Sequence, residues 1–311
     1  MGFDVAASQV LVMFIIIAAG WLVFRAKLVG KKAVTGMTNV LIYIVNPCLI
    51  LDAFQFEFDA ERLGHFGIAF GLNLATMLLI IPLSRLAYPK KLIRDDADRR
   101  SLRFGTIYTN VGFYGLPLAR ALLGEDGVFY MIAFILAFAV VVWTQGVAMY
   151  VTDADFKTKA LKIVKNPNII ATVVAVPLYL LGLLLPPVLG QAVGLVTELN
   201  TPLSMIVIGC NLAVIPLRSI LIDKLAWYGT LITNLAVPAF FLGLLTLLPF
   251  VPNDIRLIAL IGAACPVPAF LVMFSVIYRV NTAFPTRFLC LSTLTSVLTL
   301  PSLVALAGVI W

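Results

Sequence analysis

The chain is short of charge. Only 12% of its 311 residues are Asp, Glu, Lys or Arg, against 62% hydrophobic residues and a mean hydropathy of +1.06. So few charges do not solubilise a domain of this length, and a water-soluble fold is excluded. Histidine occurs once, as His65, and no pair of acids lies deep in an apolar run. A metal centre and the acid–base pair of an enzyme both lack their residues, so catalytic and metal-ligating residues and cofactors are expected to be none. The four cysteines (Cys48, Cys210, Cys265 and Cys290) fall in apolar segments without ligand-like spacing, which argues against disulfides and metal clusters. No nucleotide-binding motif or soluble domain is present, so ATP-driven work has no machinery. The N-terminus lacks the basic region of a signal peptide, with Asp4 its one charge before Arg25, and its apolar run reads as a retained helix. Short repeats and low-complexity stretches are absent too.

What is there is a series of apolar runs of bilayer-crossing length, about 20 residues each. Ten are read, at 6–25, 33–54, 64–84, 101–123, 127–151, 167–185, 191–215, 224–249, 255–278 and 285–310. The net charge of +7 raises nucleic acid as a partner, but the basic residues sit in short loops between runs. Nineteen of the 22 Lys and Arg fall in the loops after runs one, three, five, seven and nine; the exceptions are Arg62, Arg120 and Arg256. By the positive-inside rule those loops are cytoplasmic and both termini extracytoplasmic. No nucleic acid is therefore expected as a partner; the lipid bilayer is. The acidic residues Asp52, Glu57, Asp59 and Glu61 crowd the first long outer loop.

The basic loop with Lys157, Lys159, Lys162 and Lys165 divides the chain into a first five-helix repeat at 1–151, a linker at 152–166 and a second repeat at 167–311. An odd number of spans inverts the second half relative to the first. The expected fold is thus an all-α integral membrane protein of ten transmembrane helices in two inverted five-helix repeats. Asn46-Pro47 in run two matches Thr201-Pro202 in run seven, and Asn110-Val-Gly-Phe-Tyr-Gly-Leu-Pro117 in run four matches Cys265-Pro-Val-Pro268 in run nine. Breaks at corresponding places in two halves point to a transporter's binding site. The alternative is coincidence, because Gly and Pro are common in membrane helices.

A helix that breaks at the midplane and resumes presents unpaired N–H groups and about half a positive charge. Asn110 is suited to cap such a start through its side-chain oxygen. Pro266 or Pro268 suits the first turn of the resumed ninth run, where a missing donor costs nothing. Two such starts meeting from opposite sides make a pocket that favours an anion, above all a carboxylate. Candidate binding residues are Asn110, Gly112, Gly115, Pro117, Asn46, Pro47, Cys265, Pro266 and Pro268, with Thr201, Arg120 and Gln145 as further candidates. Asn46 lines the cavity or satisfies a carbonyl freed by Pro47. Arg120 meets a second carboxylate or turns outward to Glu125 or Asp126. Asn73, Gln145 and Asn211 read as interhelical hydrogen bonds. Ser292, Thr293, Thr295 and Ser296 read as hydroxyls bonded back to their own helix. His65 reads as solvated at an outer boundary. Glu198 is a proton or sodium ligand or lies at the outer edge.

The run Asn110-Val-Gly-Phe-Tyr-Gly-Leu-Pro117 with Ala119, Leu122, Leu123 and Gly124 resembles the signature of the auxin efflux carrier family. Asn46-Pro-Cys-Leu-Ile50 and Leu291-Ser-Thr-Leu-Thr-Ser-Val-Leu-Thr-Leu-Pro301 are similar to its other recurring patches. That family includes plant auxin carriers and bacterial permeases for malonate and malate. The resemblance implies helices four and nine crossing at their breaks, elevator-type alternating access, and Asn110 contacting a substrate carboxylate. The short central loop resembles the bacterial dicarboxylate branch, which implies the bacterial inner membrane, although short plant-type carriers share the feature. A coupling proton or sodium ion and a homodimer are left open. Rival readings are a sodium-coupled carrier like the bile-acid symporters, which calls for acids or amides beside both breaks, and a sensor or channel on the same fold.

Overall fold

The computed structural model of the chain describes residues 2–150 and 167–311. The linker with Lys157, Lys159, Lys162 and Lys165 lies outside the described residues. The regular structure of the described residues is all helical, with no strand among them, and seven of their helical stretches are long and apolar enough to cross a membrane. Their exposed side chains, such as Leu11, Ile15, Leu22, Val173, Leu298 and Val309, form apolar surface of the kind a bilayer covers.

The first part of the chain runs through α1 (Gly2–Arg25), α2 (Lys31–Ala53), α3 (Ala60–Ala87) and α4 (Asp96–Ile107). A π-helical turn, Val111–Gly115, then opens α5 (Leu116–Val141), and a second π turn follows at Val142–Gly146. The later part comprises α6 (Pro167–Leu180), α7 (Pro187–Thr197), α8 (Asn200–Leu212) and the short α9 (Leu217–Leu221). It closes with α10 (Lys224–Thr246), α11 (Asn253–Ala264), α12 (Phe270–Ile277) and α13 (Ala283–Ile310). Helix starts near the chain's polar loops are set by aspartates. Asp59, Asp95 and Asp223 each accept from two backbone N–H groups of the turn that follows, satisfying donors the helix cannot.

The middle of the molecule is α5. From Gly127 on it is apolar on every side and buried on nearly every side, with Phe129, Met131, Ile132 and Ala133 wholly inaccessible. Gly124 interrupts it with φ +63°, a left-handed conformation that only glycine adopts without strain. Across the molecule, α1 and α8 meet backbone to backbone. A Cβ on Gly209 would sit 2.0 Å from the Ile17 carbonyl oxygen, and one on Gly20 would sit 2.4 Å from that of Ile206. The Cys210 thiol donates to the Gly20 carbonyl at this contact, 3.3 Å away. Small residues let membrane helices approach this closely, and dispersion over the contact supplies the attraction.

The breaks differ in detail from the sequence expectation. In the fourth run the helix leaves regular geometry at Tyr108–Asn110, ahead of both glycines and Pro117, which belong to the π turn and the helix after it. The π turn widens the first coil enough to admit the proline-containing helix start without a further break. In the ninth run both prolines precede the resumed helix, which begins at Phe270. The helix around Asn46-Pro47 is continuous, a π turn at Leu41–Val45 accommodating the proline that follows.

Candidate functional site

The two interrupted runs meet at their interruptions. The Asn110 N–H donates to the Pro266 carbonyl at 2.8 Å, and the Thr109 hydroxyl donates to the Gly262 carbonyl at 2.6 Å, closing the end of α11. Both bonds join residues about 150 positions apart, and both are buried among apolar walls where an unmade bond would cost about 1–3 kcal/mol. Gly262 is required at this join: a Cβ there would fall 2.0 Å from the Phe134 ring. At Gly115 a Cβ would come 3.1 Å from the Cys265 sulfur, so the thiol packs over the glycine instead of facing open space.

A cavity of about 60 Å³ lies beside the crossing, room for roughly four to six water-sized positions. Asn46, Thr109, Asn110, Gly112 and Asn168 give it polar groups; Phe113, Phe138, Trp143 and Phe270 give it aromatic walls. No ionisable side chain among the described residues lines it. A second space of about 10 Å³, the size of one water, lies on the other side of Asn110 and Ala269, against Asn211, Cys290 and Thr293.

The backbone supplies the electrostatics. Tyr114 and Gly115 both donate to the Asn110 carbonyl, and Val272 and Met273 both donate to that of Ala269. Ahead of them, the N–H groups of Gly112, Phe113, Ala269 and Phe270 have no acceptor among the described residues, and all four residues line the cavity. These are the orphan donors of two helix starts, each worth about half a positive charge. Nothing fills the space where a Cβ on Gly112 would stand, so an occupant of the cavity can approach that backbone closely.

The side chains divide cleanly. Asn110, Gly112, Asn46 and Pro268 line the cavity. The Asn46 Oδ1 is buried without a partner; satisfying a carbonyl freed by Pro47 would fall to the Nδ2, the donor of the amide, so this orphaned oxygen does not decide between the two readings. Contrary to expectation, Asn110 does not cap the helix: it stands at the cap position with φ −82° and ψ 55°, and its carboxamide makes no hydrogen bond to a described residue. Tyr114 and Gly115 donate to the Asn110 backbone carbonyl, and the residue lines both cavities. Pro266 contributes its carbonyl to the crossing and Cys265 its packing, while Pro117 and Pro47 lie in first helical turns; none of these four, nor Gly115, lines a cavity. Thr201, Arg120 and Gln145 also lie elsewhere. Arg120 turns outward to Glu125 at 3.1 Å, Gln145 accepts from the Tyr108 hydroxyl, and the Thr201 carbonyl accepts from Ser204.

Glu198 is exposed. Asn73 is buried with its Oδ1 unpartnered, so its oxygen makes no interhelical bond. His65 is half-buried beside the Tyr130 hydroxyl, 3.5 Å away. Thr109, Phe138, Trp143, Asn168 and Phe270 are site residues that sequence reasoning passed over.

The model of a family described as membrane transport protein matches residues 5–304. No curated protein matches the chain.

Proposed function

Because the chain belongs to the membrane transport protein family, the auxin efflux carriers, we propose that it is a secondary transporter of small organic anions. The observation that carries this reading is that four residues whose backbone N–H groups have no acceptor among the described residues, with Asn110 and Asn46, line a cavity that no described ionisable side chain lines. A cation there would oppose both helix starts without a counter-charge, and an isolated buried charge is very costly. A carboxylate gains from the same field, accepting bonds of the charge-assisted kind. Small mono- and dicarboxylates such as malonate and malate are the first class of cargo. Aromatic carboxylates are the second, favoured by Phe138, Trp143 and Phe270 on the walls.

In the proposed architecture ten spans form two inverted repeats, 1–151 and 167–311, joined by the 152–166 linker. The joined breaks then move with the cargo in an elevator-type cycle, coupled to a proton or sodium ion or uncoupled. The distribution of basic residues among the loops supports both termini lying outside, in what we take to be a bacterial inner membrane. A homodimer is compatible with the exposed apolar faces of α1 and α2.

The test is competitive uptake of radiolabelled malonate into proteoliposomes. Each unlabelled acid is paired with its neutral amide. The acid should compete and the amide should not; an amide or an amine that competes as well as the acid refutes an anion carrier.

A further inference from the structure

Among the hydroxyls of α13, Ser292 behaves differently from its neighbours. Thr293 donates to the Leu289 carbonyl four residues back, and Thr295 to that of Leu291, as hydroxyls in membrane helices usually do. Ser292 instead donates to the Asn234 Oδ1 at 2.7 Å, in the π turn of α10. Its oxygen accepts from the Val267 N–H at 2.9 Å. Val267 lies between Pro266 and Pro268, so its N–H is the one backbone donor in that three-residue stretch. Asn234, Val267 and Ser292 are all essentially inaccessible.

The orientation of the Asn234 amide is fixed by chemistry. Its Nδ2 donates to the Ser292 carbonyl at 2.8 Å, an oxygen that only accepts, and also to the Thr295 hydroxyl at 2.9 Å. Oδ1 is therefore the atom facing Ser292, and it takes the single hydroxyl proton. With that proton committed, a serine lone pair remains for Val267. Without Asn234, the hydroxyl is free to turn back to its own helix, as Thr293 does.

We propose that Asn234 and Ser292 are positioning residues for the site. Asn234 holds the Ser292 hydroxyl, Ser292 holds the Val267 N–H, and Val267 fixes the stretch whose neighbouring carbonyl, that of Pro266, carries Asn110. The crossing is thereby hung between two anchors, Asn110 on one side and Ser292 on the other. Neither residue lines a cavity, so their effect reaches cargo only through the backbone donors of Ala269 and Phe270. The consequence for transport rests on the anion-carrier reading; the anchoring itself does not.

The full chain is purified as wild type, S292A, N234A, N234A/S292A and S292T. Amide exchange is followed in the peptide covering 265–270, where prolines leave few exchangeable groups, and malonate uptake is measured in proteoliposomes. Exchange should accelerate in S292A and N234A alike, no further in the double variant, and return toward wild type in S292T, because two residues acting through one bond are not additive. Half-saturation should rise, by up to roughly tenfold, in the alanine variants, because a stretch no longer held in place must be ordered when cargo binds, with the maximal rate within about twofold. Unchanged exchange in both single variants overturns the proposal, as does accelerated exchange with unmoved half-saturation. If wild type takes up no malonate, the choice of cargo fails instead, and exchange alone decides whether Asn234 and Ser292 anchor the crossing.

Discussion

Replacing Asn110 by alanine separates holding the fold from holding cargo. The bond that joins the two breaks at this residue runs from the backbone N–H to the Pro266 carbonyl and survives the substitution. The carboxamide that is removed has no hydrogen-bond partner among the described residues, so nothing buried is orphaned. The loss is limited to packing, and the cavities of about 60 and 10 Å³ on either side of the residue should merge. A stability cost below about 1 kcal/mol follows, small for a chain with this much buried apolar surface. For cargo the balance is the opposite. A hydrogen bond from an amide to a carboxylate is worth about 1.5–3 kcal/mol, so affinity should fall roughly ten- to a hundredfold. Melting of the purified protein and malonate binding to it, measured on one preparation, give both numbers. A variant that melts like wild type and binds like wild type removes Asn110 from the site. A variant that fails to fold refutes the claim that the side chain is mechanically idle.

Three further outcomes follow from other parts of the molecule. Gly262→Ala should destabilise by about 1–3 kcal/mol, because its new methyl meets the buried Phe134 ring; an unchanged melting temperature would show that the ring yields freely. Arg120→Gln should leave uptake within about twofold, since Arg120 pairs outward with Glu125 in an exposed ion pair of little worth; a loss near that of Asn110→Ala would bring the arginine back into the site. A reporter active only in the cytoplasm, fused after Trp311, should stay silent, and a strong signal would invert the proposed topology.

The parts of this fold that a reader of the sequence finds are those marked by unusual composition. Apolar runs, the Asn-Gly-Pro cluster before 117 and the Cys-Pro-Val-Pro run announce themselves because such residues are costly in a lipid-exposed helix. What the composition does not reveal is which residue leaves the helix. Tyr108–Asn110 does so while Gly112, Gly115 and Pro117 remain helical, because a π turn absorbs them. Phe138 and Trp143 are invisible for another reason: from Gly127 to Trp143 the chain is apolar all round, and without periodicity no face stands out as the one toward a cavity. Gly20, Gly209 and Gly262 look like any glycine until the partner backbone or ring is in place. Thr109 and Ser292 fail in the same way. Each bonds to a residue far off in the chain, whereas local rules assign such hydroxyls to their own helix.

The scarcity of charge that excludes so many functions also bears on how this site would work. An arginine or lysine placed at membrane depth to meet an anion would be costly whenever the site stood empty. Backbone N–H groups at two helix starts offer positive potential without net charge, and small amounts of water can satisfy them between loads. On the proposed reading, a carrier must return through the membrane without its cargo, and a neutral site makes that return cheaper than a charged one. Selection among anions then rests on shape: amides and N–H groups on one side, Phe138, Trp143 and Phe270 on the other. Introducing a lysine at Asn46, whose Oδ1 is buried without a partner beside the cavity, would put this to trial. Such a change should tighten binding of a carboxylate while slowing net transport, because the empty carrier would then have to carry a buried cation across. Faster net transport with tighter binding would show that neutrality of the site is not what permits the return.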